Sequence, residues 1–93
     1  MTYIKPNRRE FLDPHVDALA QALLDVCSSK GDLNYCITQL LISYVACEGK
    51  RYDTLSNVTG VLSDVKTEFE RRVVAPYEDQ KIEENGDVGY EDV

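Results

Sequence analysis

The sequence has few of the residues that metal sites and disulfide frameworks require. There is one histidine, His15, and the three cysteines include no C-x-x-C pair. His15 has no cysteine at the spacing of a metal-ligand set, and an odd cysteine count does not suit a disulfide framework. The first ten residues are polar and basic, and apolar runs such as Leu40–Ile42 are far shorter than the roughly 20 residues that span a bilayer. We therefore expect a cytoplasmic protein with reduced, buried thiols and no membrane segment.

Patterns typical of catalytic sites are also missing. The five glycines stand singly, so no glycine-rich loop is present to hold a phosphate. Asp64 and Glu68 form an i, i+4 pair at the edge of an apolar stripe, and no two helices offer matching inward carboxylates for Mg²⁺. These absences favour a protein that is not an enzyme, and they predict neither a metal nor a cofactor.

The net charge of −7 is concentrated at one end of the chain. Residues 1–75 carry nine Lys/Arg against ten Asp/Glu, whereas residues 76–93 carry one lysine against seven acidic residues. Because an acidic segment repels phosphates, direct binding of nucleic acid is not expected. We predict a single helical domain over residues 1–86, followed by a mobile acidic tail over 87–93.

Apolar residues follow a helical period in the first half of the chain. The spacing from Val16 to Val26 predicts a helix that begins at Asp13–Pro14 and ends at Ser28–Gly31, with Gly31 in the left-handed conformation. A second stripe from Leu33 to Cys47 predicts a second helix. Asp32 is its predicted N-cap, and the helix is predicted to end at Glu48–Lys50. The short connection predicts that these two helices are antiparallel.

The longest stripe lies in the second half and continues from Leu55 to Val73, after a cap at Asp53 or Thr54. Gly60 lies within it, where we expect the glycine to permit a close approach of helices. Pro76 interrupts this helix or begins a new one, and Gly86 ends it. The predicted fold is all-α: an antiparallel helical hairpin plus a long third helix with a proline break, in a small helical bundle. The three stripes can close as a three-helix bundle or as a dimer or higher assembly through the third helix, and we expect an oligomer.

Three blocks of the sequence carry a family resemblance. They are GDLNY at 31–35, V-x-G-V-L at 58–62 and EFERRVVAPYEDQKIEENGDV at 68–88. These blocks resemble a family of short bacteriophage proteins to which no activity is assigned. The resemblance implies a phage source, and with it the host cell cytoplasm as the location, but no mechanism.

The block at 68–88 has the highest density of polar side chains that a helix would expose. It predicts a recognition surface, here named the Arg71–Lys81 surface, made of Arg71, Arg72, Tyr77, Glu78 and Lys81. The alternative is an internal network in which one of the arginines pairs with Glu78 or Asp79 and fixes the angle between two helices.

Asn34 and Tyr35 complete the candidate binding residues. They open the second helix, where asparagine is a mediocre helix former. A specific hydrogen bond and simple capping of the first turn are both consistent with this position.

By elimination, the sequence predicts a small non-enzymatic accessory protein that binds a host or phage macromolecule, above all a protein, in host takeover or in inhibition of host defence. The alternative is a small-ligand protein: an oligomer that sequesters a nucleotide, or a minimal metal-dependent nucleotide hydrolase.

Overall fold

The computed structural model of the protein describes residues 3–26 and 29–93, and this part of the chain is helical. No strand is found in these two ranges, so the predicted all-α class is confirmed. The elements in chain order are α1 (Pro6–Asp25), α2 (Lys30–Glu48), α3 (Tyr52–Phe69), a π-helical turn (Glu70–Val74), α4 (Ala75–Asn85) and a 3₁₀ turn (Tyr90–Asp92).

The predicted start of the first helix at Asp13–Pro14 is wrong. α1 begins at Pro6, with Lys5 as its N-cap and Pro14 inside the helix. Pro6 suits a first turn because the N–H that proline lacks has no helical partner there. Pro14 has no N–H to donate, so the Glu10 carbonyl lacks its usual helical donor.

The predicted boundary between the first two helices also differs from the structure. α1 ends at Asp25, and Ser29 caps α2 through a capping box. The Ser29 backbone N–H donates to Asp32 Oδ2 at 2.8 Å, and the Asp32 N–H donates to Ser29 Oγ at 3.4 Å. Asp32 is therefore the third helical residue and not the cap, and Gly31 lies in the first turn of α2 rather than in a left-handed stop. Ser28, part of the predicted helix end, lies outside the described residues.

Two of the predicted glycine stops are confirmed. Gly49 follows α2 with φ 96°, and Gly86 follows α4 with φ 83°. A positive φ is unfavourable for any residue that has a Cβ atom, so both positions favour glycine. Gly60 behaves differently, since a Cβ built there would meet no atom within 4 Å apart from its chain neighbours and the nearby backbone of its own helix. The close helix approach expected at Gly60 is therefore not found within its own unit, Ser56–Val93.

The proline break takes the form of the π-helical turn. The Ala75 N–H donates to the Glu70 carbonyl, five residues back, and the backbone stays right-handed helical from Phe69 to Ala75. Two successive spacings of four, Val65 to Phe69 to Val73, would drift by about 80° in an α-helix. The extra residue in a π turn absorbs that drift. Val73 therefore stays in line with the apolar stripe of α3.

The described residues contain almost no buried side chain. No hydrophobic side chain in residues 3–26 and 29–93 is buried, and Thr54, 4% exposed, is the one buried residue there. The stripe residues remain accessible, as Leu33 at 51% and Phe69 at 58% show.

The burial predicted for the cysteines is wrong for the chain alone. Cys36 is half-buried and Cys47 is exposed, because the stripe on which they lie is not covered; both thiols are free. Cys27 lies outside the described residues. The chain divides into two compact units, Met1–Leu55 and Ser56–Val93, which are described separately below.

Candidate functional site

In the second unit, one carboxylate holds two arginines of the Arg71–Lys81 surface. Glu68 Oε1 lies 2.8 Å from Arg71 Nη2 and 3.6 Å from Arg72 Nη1. The Glu68 side chain is 20% exposed, whereas the two arginines are 69% and 64% exposed. These ion pairs join the arginines to Glu68 in the preceding turn, a partner that the sequence-based alternative of Glu78 or Asp79 did not include. The result is a pair of oriented guanidinium groups that face solvent.

Beyond the π turn, Tyr77 and Lys81 lie one turn apart on α4. Lys81 Nζ is 5.5 Å from the centroid of the Tyr77 ring and 3.1 Å from Glu84 Oε2. Exposed contacts of these kinds contribute up to about 1 kcal/mol each, so they orient the side chains more than they stabilise the fold. The tyrosine ring is 59% exposed and is accessible to a partner.

Residues of the acidic tail line a shallow pocket together with residues at the far end of the same surface. A shallow pocket of about 290 Å³ is lined by Glu78, Lys81 and Ile82 of α4 together with Gly86, Asp87, Val88 and Tyr90. Val88 and Tyr90 are 89% and 80% exposed, so the tail covers little of α4.

A local turn explains how the tail reaches this position. Asp87 Oδ1 accepts the N–H of Val88 at 2.6 Å and that of Gly89 at 3.3 Å, and Gly86 and Gly89 both have positive φ. An aspartate that binds the backbone two residues ahead is typical of such turns. The predicted mobility of residues 87–93 stays a prediction.

Asn34 and Tyr35 lie in α2 of the first unit. Asn34 Oδ1 accepts a hydrogen bond from Thr38 Oγ1 at 3.4 Å, within the same helix. Capping of the first turn is supplied by Ser29 with Asp32, so Asn34 is not needed for it. Tyr35 is 65% exposed and is available to a partner.

Glu68 contributes to the Arg71–Lys81 surface, but the sequence prediction did not include it. Its distance of three and four residues from Arg71 and Arg72 is the spacing at which helical side chains meet, and this signal was present in the sequence. Tyr90 was also omitted, and no periodic pattern in the tail pointed to it.

Metal and membrane features are not found in the part of the chain that the structure describes. Within residues 3–26 and 29–93, no three His, Cys, Asp or Glu side chains are grouped so that they could hold a metal ion. None of the described helices combines the length and apolar character needed to cross a bilayer.

Comparison with known proteins gives one family. No curated protein and no solved structure matches the chain. A family model described as a domain of unknown function (DUF6899) matches residues 1–88, a range that contains α1 to α4 and the whole Arg71–Lys81 surface. The chain therefore belongs to the DUF6899 family.

Proposed function

We propose that this protein is a non-enzymatic, phage-type accessory factor that binds a host or phage protein, in host takeover or in inhibition of host defence. One observation carries the proposal: no hydrophobic side chain among the described residues is buried. Exposed apolar surface of this extent marks interaction sites in soluble proteins. The phage setting is supported by the resemblance of the block at 68–88.

Self-association is part of the proposal. A domain of this size buries so little surface on folding that the core of one chain alone gives only marginal stability. Oligomerisation commonly provides the missing buried surface. We place the contact between copies on the third helix. Four residues join the end of α1 at Asp25 to the start of α2 at Lys30, and connections this short favour an antiparallel hairpin.

The Arg71–Lys81 surface is the proposed site for the other partner. Arginine and tyrosine are enriched among the residues that dominate binding energy at protein interfaces. Here Glu68 orients Arg71 and Arg72, and Tyr77 lies on the next turn with its ring accessible. Preorganised side chains lose less conformational entropy when a partner binds.

Affinity capture from infected host cells tests this function. The double variant Arg71→Glu/Arg72→Glu is compared with wild type, and Lys66→Glu serves as the matched control because Lys66 is an exposed cation one turn before the surface. We expect at least one protein that wild type and Lys66→Glu capture and the double variant loses. Identical capture by all three baits would contradict the assigned surface.

A second measurement separates this function from the nucleotide alternative. Thermal melting is recorded with a panel of nucleotides, with and without Mg²⁺, because a ligand that binds only the folded state raises the apparent stability. We expect no nucleotide to shift the melt. A strong shift together with empty captures would overturn the proposal in favour of a nucleotide-binding oligomer or hydrolase.

A further inference from the structure

The apolar face of α3 follows a heptad order. The spacings of 4, 3 and 4 place Leu62 and Phe69 at position a and Val58 and Val65 at position d. Leu62, Val65 and Phe69 are 39%, 50% and 58% exposed, and Val58 is half-buried. The face is therefore available to a helix from another molecule.

The opposite side of α3 has a different character. Gly60 and Thr67 lie about half a turn from the centre of the apolar face at roughly 100° per residue. Thr67 is exposed, and a Cβ at Gly60 would meet no atom within 4 Å apart from its chain neighbours and the nearby backbone of α3. The heptad seam thus occupies one side of the helix only.

The order of side-chain sizes along this face selects an orientation for a second copy. The a positions carry large residues and the d positions carry valines. In parallel dimers the favoured order is the reverse, with β-branched residues at a and leucine at d. A parallel pair would also place Phe69 of one copy against Phe69 of the other.

An antiparallel pair resolves this conflict, because reversing one helix brings its d positions opposite the a positions of the other. Each layer then combines one large and one small residue, the alternation with which packed cores interdigitate. Leu62 would face Val65 of the second copy, and Phe69 would face Val58 of the second copy.

Charge favours the same orientation. Residues 76–93 carry one lysine and seven acidic residues, a net charge of −6. A parallel pair would set two such segments side by side. With the two-fold axis between Leu62 and Val65, antiparallel helices would hold the two Glu78 residues about 40 Å apart at 1.5 Å per residue. That distance is several times the screening length of about 8 Å at physiological salt.

We propose that the α3 face of Val58, Leu62, Val65 and Phe69 binds the same face of a second copy of this chain in antiparallel orientation. The pairing rests on the self-association in the proposed function and adds its orientation and register. It forms an isologous two-fold contact, the commonest kind in soluble homo-oligomers.

Disulfide mapping tests the pairing in the full chain. Val58→Cys and Phe69→Cys variants are mixed and oxidised, and the linked peptides are identified by mass spectrometry so that the native cysteines can remain. In the antiparallel pair, residue 58 lies beside residue 69 of the other copy. Two copies of residue 58 are then about 16 Å apart, too far for a disulfide, whose Cβ atoms lie about 4 Å apart. Thr67→Cys is the control for random collision, and light scattering on wild type checks assembly independently of any substitution.

The expected result is a mixed 58–69 link, no 58–58 link from Val58→Cys alone, and a wild-type mass of at least twice 10.5 kDa. A 58–58 link would overturn the orientation. An oligomer with neither link would overturn α3 as its interface. A wild-type monomer would overturn the pairing altogether, while the capture experiment with the arginine variants would still decide the proposed partner binding.

Discussion

Arg71 Nη2 lies 2.8 Å from Glu68 Oε1, one helical turn earlier in the chain. The same oxygen lies 3.6 Å from Arg72 Nη1, so one carboxylate orients two neighbouring guanidinium groups. Because the arginines are largely exposed and Glu68 is mostly covered, the cluster presents positive charge outward. Glu68 is therefore a positioning residue for the Arg71–Lys81 surface.

Substituting Glu68→Gln should have a small effect on stability. Exposed ion pairs contribute roughly 0.2–1 kcal/mol, and the two arginines remain accessible to water. We expect the free energy of unfolding, measured by urea denaturation, to fall by no more than about 1 kcal/mol. Glu70→Gln, which affects the exposed pair with Lys66, is the control. A loss of several kcal/mol at Glu68 alone would mean that the carboxylate has a structural role beyond this cluster.

Removing the cap of α2 should cost more than removing a similar hydroxyl from its interior. Ser29→Ala deletes the oxygen that accepts the Asp32 N–H, and lost caps cost about 1 kcal/mol. Ser43→Ala, in the middle of α2, should be neutral or slightly stabilising because alanine is the better helix former. Helical content by circular dichroism and urea denaturation measure both. Equal effects of the two substitutions would contradict the capping box.

Two glycine substitutions should act in opposite directions. Gly49→Ala forces a Cβ onto a backbone with φ 96° and should destabilise by about 1 kcal/mol. Gly60→Ala lies inside α3 with open space around it and should stabilise by about 0.5–1 kcal/mol. Thermal melting compares the pair. Destabilisation by Gly60→Ala would reveal a close helix contact at that position after all.

A charge on the apolar face of α3 should prevent assembly, whereas a charge on its opposite side should not. Leu62→Asp places a carboxylate in the proposed contact between copies, where burying it unpaired is costly. Thr67→Asp puts the same group on the outer side of the helix. Sedimentation velocity should show smaller species for Leu62→Asp and wild-type species for Thr67→Asp. Equal sedimentation of both with wild type would place the contact elsewhere.

The acidic tail should exchange its amide hydrogens quickly. Its side chains are largely exposed, and its only regular structure is the 3₁₀ turn at Tyr90–Asp92. Exposed segments with few buried contacts open at almost no free-energy cost. We expect amides of residues 87–93 to exchange far faster than those of α3 in hydrogen-exchange mass spectrometry. Protection similar to that of α3 would contradict the predicted mobility.

The sequence was most informative where a single local interaction decides the structure. The stops at Gly49 and Gly86 were predicted correctly because the positive φ at these helix ends is a local requirement that glycine meets most easily. The helix starts were predicted less well. Pro6 and Pro14 carry the same signal, and Ser29 competes with Asp32 for the cap, so the pattern alone could not choose. The π turn lies where two successive intervals of four residues, Val65 to Phe69 to Val73, precede Pro76. Those intervals shift the phase of the apolar stripe, and a prediction that only lists apolar positions overlooks the shift.

The candidate site was predictable to the extent that it is helical. The pairing of Tyr77 with Lys81 is an i, i+4 contact and follows from the spacing of the two residues. The ion pairs of Glu68 with Arg71 and Arg72 follow from their spacing in the same way. The burial of Cys36 and Cys47 was predicted wrongly for the chain alone, because an apolar stripe shows which face of a helix favours burial, and among the described residues that face stays uncovered. The turn at Asp87 depends on a local hydrogen bond, which the spacing of apolar residues does not predict.

The mass of the wild-type protein in solution shows whether the chain self-associates. Light scattering coupled to size-exclusion chromatography, over a dilution series in the micromolar range, reports whether the exposed apolar faces are closed by a second copy. We expect at least twice the 10.5 kDa of one chain, with dissociation only on strong dilution. A folded, cooperative protein with the mass of one chain at every concentration would contradict this expectation.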